Sequence, residues 1–150
     1  MRLQRHDRAG MTVVESAVVF PVTFLLILGL IVGGLGVFRY QETASLARRA
    51  ARYAAVHGKQ YANDTGNGAA TADDIYNNAI KPYAASLDLT KLTYAVSYNA
   101  DNSPGTVSVQ NGNVVTTGNT VTVTVSYNWV PEAFLGGITL TSTSVMPMAY

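Results

Sequence analysis

Between Arg8 and Arg39 the only ionisable side chain is Glu15, and from Ser16 to Phe38 the chain carries no charge at all. At about 1.5 Å of helical rise per residue, a run of about 23 residues reaches roughly 35 Å, enough to cross a hydrocarbon core of about 30 Å with some tilt. The run therefore predicts a membrane-spanning helix over about 16–38. A carboxylate little more than one helical turn beyond Gly10, where the apolar run begins, must there be solvated, paired or neutralised.

One way to satisfy it is local. Thr12 to Glu15 reads TVVE, the capping-box pattern, in which the threonine hydroxyl accepts from the third helical N–H and the glutamate reaches back. The helix macrodipole adds about 0.3–1 kcal/mol for a carboxylate in that turn, against about 2.5–3.5 kcal/mol for a charge at mid-bilayer and less near the interface. Further along the span, Pro21 removes one backbone hydrogen bond and is expected to kink or loosen the helix. Gly29, Gly33 and Gly36 share one face, and GLIVG is a GxxxG pattern of the kind that lets a second helix approach closely.

The helical pattern continues past the apolar run. In Tyr40–His57, Leu46, Ala50, Tyr53 and His57 lie along one face while Arg48 and Arg52 share another. Gly58 supplies a stop. The arginines read first as a solvated face and second as a contact for lipid head groups. Arg2, Arg5 and Arg8 precede the span and Arg39, Arg48, Arg49 and Arg52 follow it, so the positive-inside count does not choose an orientation.

Beyond the leader and span about 110 residues remain, room for one small domain. Cysteine is absent, which excludes disulfides and thiolate chemistry and leaves stability to the core. Lys59–Ala70 is small, polar and glycine-rich and reads as a loop; Asn63, Asp64 and Asn67 lack the spacing of a calcium loop. Thr71 caps a short helix with Asp73 and Asp74 in its first turn, Ile75, Ala79, Ile80 and Tyr83 as its stripe, and Pro82 at its end.

The period then changes to two. Leu92, Tyr94, Val96 and Tyr98 alternate with polar residues, as do Val121, Val123, Val125 and Tyr127. Asn111-Gly112-Asn113 joins Thr106–Gln110 to Val114–Thr117 as a hairpin, and Ile138–Met146 is a last strand. The expected fold class is α+β: a long N-terminal transmembrane helix extending out of the membrane, then a short helix and an antiparallel sheet of three to five strands. The division expected is a basic leader at 1–10, a long helix at 11–57, a loop at 58–70 and an α+β domain at 71–150.

Catalytic chemistry has little material. His6 and His57 stand apart with no second ligand near them in sequence, so no metal site is expected, and no acidic residues form an acid–base pair. Phosphate-cradling glycine motifs, a nucleophile elbow and nucleic-acid modules are missing as well. The expectation is a protein without cofactor, without nucleic-acid partner and without enzymatic activity.

A basic stretch, Gly10, Met11, then Glu15 and a long apolar helix resemble a prepilin processing site. More specifically, Gly10, Val13-Val14-Glu15-Ser16-Ala17, Pro21 and the segment Leu46-Ala47-Arg48-Arg49-Ala50-Ala51-Arg52-Tyr53-Ala54-Ala55 resemble, without a gap, the TadE-like pseudopilins of tight-adherence (Flp, type IVc) pilus systems. The tail, VTVTVSYNWVP followed by LGGITLTSTSVM, is similar to the terminal strands these proteins often carry. Departures are Val32, where many members have a second glutamate, and Arg49-Ala50, where they have Glu-Gly.

The resemblance implies cleavage between Gly10 and Met11 by a membrane-embedded prepilin peptidase on the cytoplasmic side. It thereby implies an inner-membrane protein with its N-terminus inside and its C-terminal domain periplasmic or extracellular, in a surface pilus or at its base. It further implies that Glu15 pairs with the new α-amine of an adjacent subunit and that Gly29, Gly33 and Gly36 pack against neighbouring helices. Other pilins or pseudopilins, the inner-membrane assembly platform and the lipid bilayer would be its partners, and a minor pilin for adhesion or secretion its role. The rival expectation is a single-pass anchor displaying a small β-rich binding domain, with Glu15 only a helix cap.

Overall fold

The structure is a computed structural model and describes residues 8–131 and 136–150. Residues 1–7 of the expected leader, Arg2, Arg5 and His6 among them, lie outside the described residues, as does Glu132. A helix of 49 residues, α1 (Arg8–Val56), opens the described chain. Two compact units, Met1–Val37 and Phe38–Tyr150, divide it, and each is taken by itself.

In the first unit the helix starts earlier than the capping-box pattern predicts. Because α1 begins at Arg8, Thr12 and Glu15 lie inside it and its first turn holds no acidic residue. Thr12 is therefore not an N-cap: its backbone is already helical, whereas a cap residue needs extended φ/ψ. Pro21 lies within the helix, where its missing N–H leaves the Ala17 carbonyl without the usual i−4 donor. Nearly all the large apolar side chains face outward, with Met11, Phe20 and Leu30 each at least 70% exposed.

The second unit is built on Phe38–Val56 of α1. Here the helix presents small residues: Ala47, Ala50, Ala51 and Ala54 are fully buried, with Leu46 beside them. They pack with residues of a three-stranded antiparallel sheet ordered β1 (Leu92–Tyr98), β4 (Thr120–Trp129), β5 (Ile138–Pro147). The register sets Leu92 opposite Tyr127, Tyr94 opposite Val125 and Val96 opposite Val123, so the apolar positions of both strands share one face. Val121, Val123 and Val125 have no exposed surface. The other face is almost all threonine and serine, with hydroxyl pairs Thr124–Thr143 and Ser126–Thr141 at 2.9 Å.

A second helical layer closes the core. The cap at Thr71 forms as the sequence predicts, and it is a full capping box: Asp74 N–H donates to Thr71 Oγ1 at 3.2 Å and the Asp74 carboxylate accepts from Thr71 N–H at 2.9 Å. The helix that follows is one turn of α3 (Ala72–Ile75), then a π-turn (Tyr76–Ile80) and a 3₁₀ turn (Lys81–Tyr83) containing Pro82. Ile75, Ala79 and Ile80 are buried.

Lys59–Ala70 corrects the loop expectation, since Lys59–Thr65 forms α2. Propensity does not explain it; tertiary partners do. The Tyr61 ring lies 4.6 Å from His57 and 6.3 Å from Tyr150, and Tyr150 Oη donates to Asp64 at 2.6 Å. The last residues also satisfy open ends of α1, because Ala149 N–H and Tyr150 N–H donate to the Ala55 carbonyl. Gly58 is not a left-handed cap: its φ is −86°. A Cβ there would collide with the Asn102 carbonyl, Met148 and the Tyr150 carbonyl, so close approach is what requires glycine.

The hairpin signal is met by β2 (Gly105–Gln110) and β3 (Asn113–Gly118) around Asn111-Gly112, both with positive φ as a type I′ turn needs. These two strands form their own sheet rather than extending the first. Buried Asn119 ties the base of the hairpin, its Nδ2 donating to Asp101 at 2.7 Å and its Oδ1 accepting from Thr106 at 3.0 Å. The class is α+β, with five strands in sheets of three and two among the described residues.

Candidate functional site

The apolar half of α1 is the first candidate. Val13, Val14, Val18, Val19, Phe20 and Leu25 are all exposed on a helix long and apolar enough to cross a bilayer, and none of its most apolar stretch is buried by protein. A core helix of a soluble protein buries such a face; this one does not. Glu15 is exposed within it and has no hydrogen-bond or ion-pair partner among the described residues. Gly10 and Met11 lie two and three residues into α1, roughly one turn before Glu15.

Of the predicted glycines of this segment, Gly29 and Gly33 are open and Gly36 is half-buried. A Cβ built on Gly29 or Gly33 meets nothing within 4 Å. At the helical angle of about 100° per residue, Gly29, Gly33 and Gly36 fall within about 60° of one another, which leaves a shallow face where backbone can approach backbone.

In the second unit the same chemistry of charge is treated differently. Arg39 donates to the backbone and side-chain oxygens of Ser86 and pairs with Glu42 at 3.7 Å, and Ser86 in turn donates to Glu42. This knot fastens the Ala84–Leu87 segment, whose Ala84 and Leu87 are buried, to the helix. Asp101 is held below the ordinary aspartate range, first by the Ser103 hydroxyl and backbone N–H, with help from Lys59 and Asn119. Burial, then the Asp74 carboxylate, pushes the Tyr53 hydroxyl up.

Arg48, Arg49 and Arg52 border a cavity of about 500 Å³ against Asn78, Ala79 and Tyr83. The Arg49 guanidinium sits over the Tyr83 ring at 4.4 Å. The sequence pattern puts Arg48 and Arg52 on a solvated face, and they are exposed. It does not reveal the concave wall opposite, which depends on how the Tyr76–Tyr83 turns pack and which no local pattern reports. No group of three or more potential metal ligands occurs among the described residues.

The family model described as TadE-like protein matches residues 10–52. The N-terminal segment is TadE-like. The matched region runs from Gly10 through Glu15, Pro21 and the glycine face to Arg52, so it holds most of the positions on which the resemblance rests; Tyr53, Ala54, Ala55 and the tail strands lie outside it. The match covers 43 of the 150 residues, and the N-terminal apolar helix, the one among the described residues long and apolar enough to cross a membrane, reads as a membrane anchor. No curated protein and no solved structure matches the chain.

Proposed function

We propose that this TadE-like chain is a minor pilin or pseudopilin whose first ten residues are removed by a prepilin peptidase and whose helix then packs among those of other pilins. One observation carries the reading: Glu15, a carboxylate without a partner among the described residues, on the apolar and unburied part of α1, close behind a Gly10–Met11 junction inside the TadE-like match.

Cleavage changes the electrostatics of that carboxylate. With Met11 as the new N-terminus, Glu15 moves from the helix interior to its positive end, where the macrodipole favours it by about 0.3–1 kcal/mol. The new α-amine, charged near neutrality, acts more strongly because it carries a full charge. Paired with Glu15 of the adjacent subunit at the membrane interface, it neutralises a charge that lipid would otherwise meet alone. The pair fixes axial register, and the Gly29, Gly33 and Gly36 face lets helices approach side by side. In this reading residues 1–10 stay cytoplasmic and the α+β unit lies on the far side of the inner membrane.

The anchor-only alternative, with Glu15 as a cap, has less support, because α1 begins upstream of Thr12. The test is coexpression with a prepilin peptidase and intact-mass measurement. Loss of residues 1–10 is expected, and Glu15→Gln should still be cut but fail to enter assembled pili. An N-terminus left intact beside an active peptidase removes the processing claim; normal incorporation of Glu15→Gln removes the pairing.

A further inference from the structure

The described Asp and Glu side chains of the second unit are all engaged away from three of its arginines. Glu42 is taken by Arg39 and Ser86, and Asp64 by Gln60 and Tyr150. Asp73 accepts from Tyr94 at 2.9 Å. Asp74 is held in its capping box by Thr71, Asp88 by Thr90 and Lys91, and Asp101 by Ser103 and Asn119. These are the Asp and Glu side chains described in this unit. Arg48, Arg49 and Arg52 make no ion pair with any of them.

Three cations within five residues of one helix repel one another. Arg48 and Arg52 are i,i+4 neighbours and Arg49 and Arg52 are i,i+3, an arrangement unfavourable without a counterion. They do not simply splay into solvent from a convex surface, because the facing π-turn and 3₁₀ turn make their side of the helix concave. Tyr83 holds the Arg49 guanidinium by its face, which leaves the in-plane N–H groups available, and Asn78 adds an amide to the wall. Planar guanidinium forks bordering one cavity match a tetrahedral oxyanion, to which each can donate in bidentate fashion.

We propose that Arg48, Arg49 and Arg52 form a binding site for a phosphate group, carried by an anionic phospholipid headgroup or free in solution. The site is independent of cleavage at Gly10 and of Glu15.

The test uses the full chain in maltoside micelles, titrated in parallel with dioctanoyl phosphatidylglycerol, inorganic phosphate and a polyglutamate peptide. Arginine Nε–Hε resonances report occupancy directly. Phosphatidylglycerol or phosphate should shift those of Arg48, Arg49 and Arg52; response to the lipid alone assigns a headgroup, and equal response to both assigns the bare phosphate group. Arg48→Gln/Arg52→Gln should weaken binding at least tenfold with an unchanged unfolding midpoint, and Arg52→Lys, which keeps the charge but loses the fork, should lose several-fold. Lys81→Gln/Lys91→Gln, an equal loss of charge outside the cavity, should change binding less than twofold. Equal loss in the lysine pair, silence toward both phosphate ligands, or response to polyglutamate alone overturns the proposal.

Discussion

The two parts of α1 invert the usual association of size with burial. Before Phe38 the helix carries Val, Leu, Ile and Phe, and nearly all are exposed; after it the buried side chains are mostly alanine, and Ala47, Ala50, Ala51 and Ala54 vanish from the surface. The difference is in what lies against each. Lipid tails adapt to any large apolar outline, so side chains that face them need bulk and no fit. A packed interior is rigid and filled like a crystal, and a helix that must lie close to β4 can do so only with small residues on that side. Hydrophobicity marks the first part in the sequence, whereas smallness marks the second.

The sharpest way to break this comparison is to delete the same kind of side chain on both sides. Ile80→Ala, at a residue with no exposed surface, should cost about 2–5 kcal/mol in urea unfolding of the full chain in micelles. Leu30→Ala, at 79% exposure, should leave the unfolding of the second unit within about 0.5 kcal/mol. Similar losses at the two positions would mean that the apolar run is part of the protein core after all.

Adding volume should discriminate in the same direction with a smaller effect. Ala50→Leu forces about three extra methyl-sized groups between α1 and its neighbours and is expected to destabilise by about 1–3 kcal/mol. Ala17→Leu, on the exposed part of the helix, should be neutral in the same measurement.

The same contrast between local pattern and distant partner decides which features are legible in the sequence. The apolar run, the alternating strands, the Asn111-Gly112 turn and the Thr71 cap are local patterns, and each appears in place. Lys59–Thr65 reads as a loop because its helix depends on Tyr61, Asp64 and Tyr150, partners far apart in sequence. The capping box at Thr12 fails for a related reason. A TVVE pattern says where a helix can begin, and here the helix already runs through it from Arg8. The separation of the hairpin from the main sheet hangs on buried Asn119, whose partners Asp101, Ser103 and Thr106 no periodicity brings together. For the candidate site, Gly10, Glu15 and the glycines are legible because membrane chemistry is written in composition. The cavity beside Arg49 is not, because its other wall comes from a different turn.

The working cap at Thr71 and the pattern at Thr12 give a smaller test. Thr71→Ala should cost about 1 kcal/mol, with both halves of the capping box lost. Thr12→Ala should leave the unfolding of the second unit unchanged, since Thr12 lies in the other unit and caps no helix start.

The smallest effect expected concerns charge, where the two units differ most. Glu15 has no partner among the described residues, while Asp74, Asp88 and Asp101 are each held below the ordinary aspartate range by hydroxyl and backbone N–H donors from Thr71, Thr90 and Ser103. A carboxyl with a lowered folded-state pKa binds fewer protons folded than unfolded, so its contribution is complete above the ordinary aspartate value and disappears as pH falls through the lowered one. The second unit should therefore lose stability progressively below about pH 4, the ordinary aspartate value. Asp101→Asn keeps an oxygen facing Ser103 and removes one titrating group, so the acid limb of its stability profile should be shallower. Glu15→Gln should leave that limb as it is. Urea midpoints measured from about pH 6 down to about pH 3, the window that brackets the ordinary aspartate value, compare the two variants. A change of slope in Glu15→Gln rather than Asp101→Asn would show that the carboxylate on the apolar helix, and not the hydrogen-bonded one, is coupled to folding of the second unit.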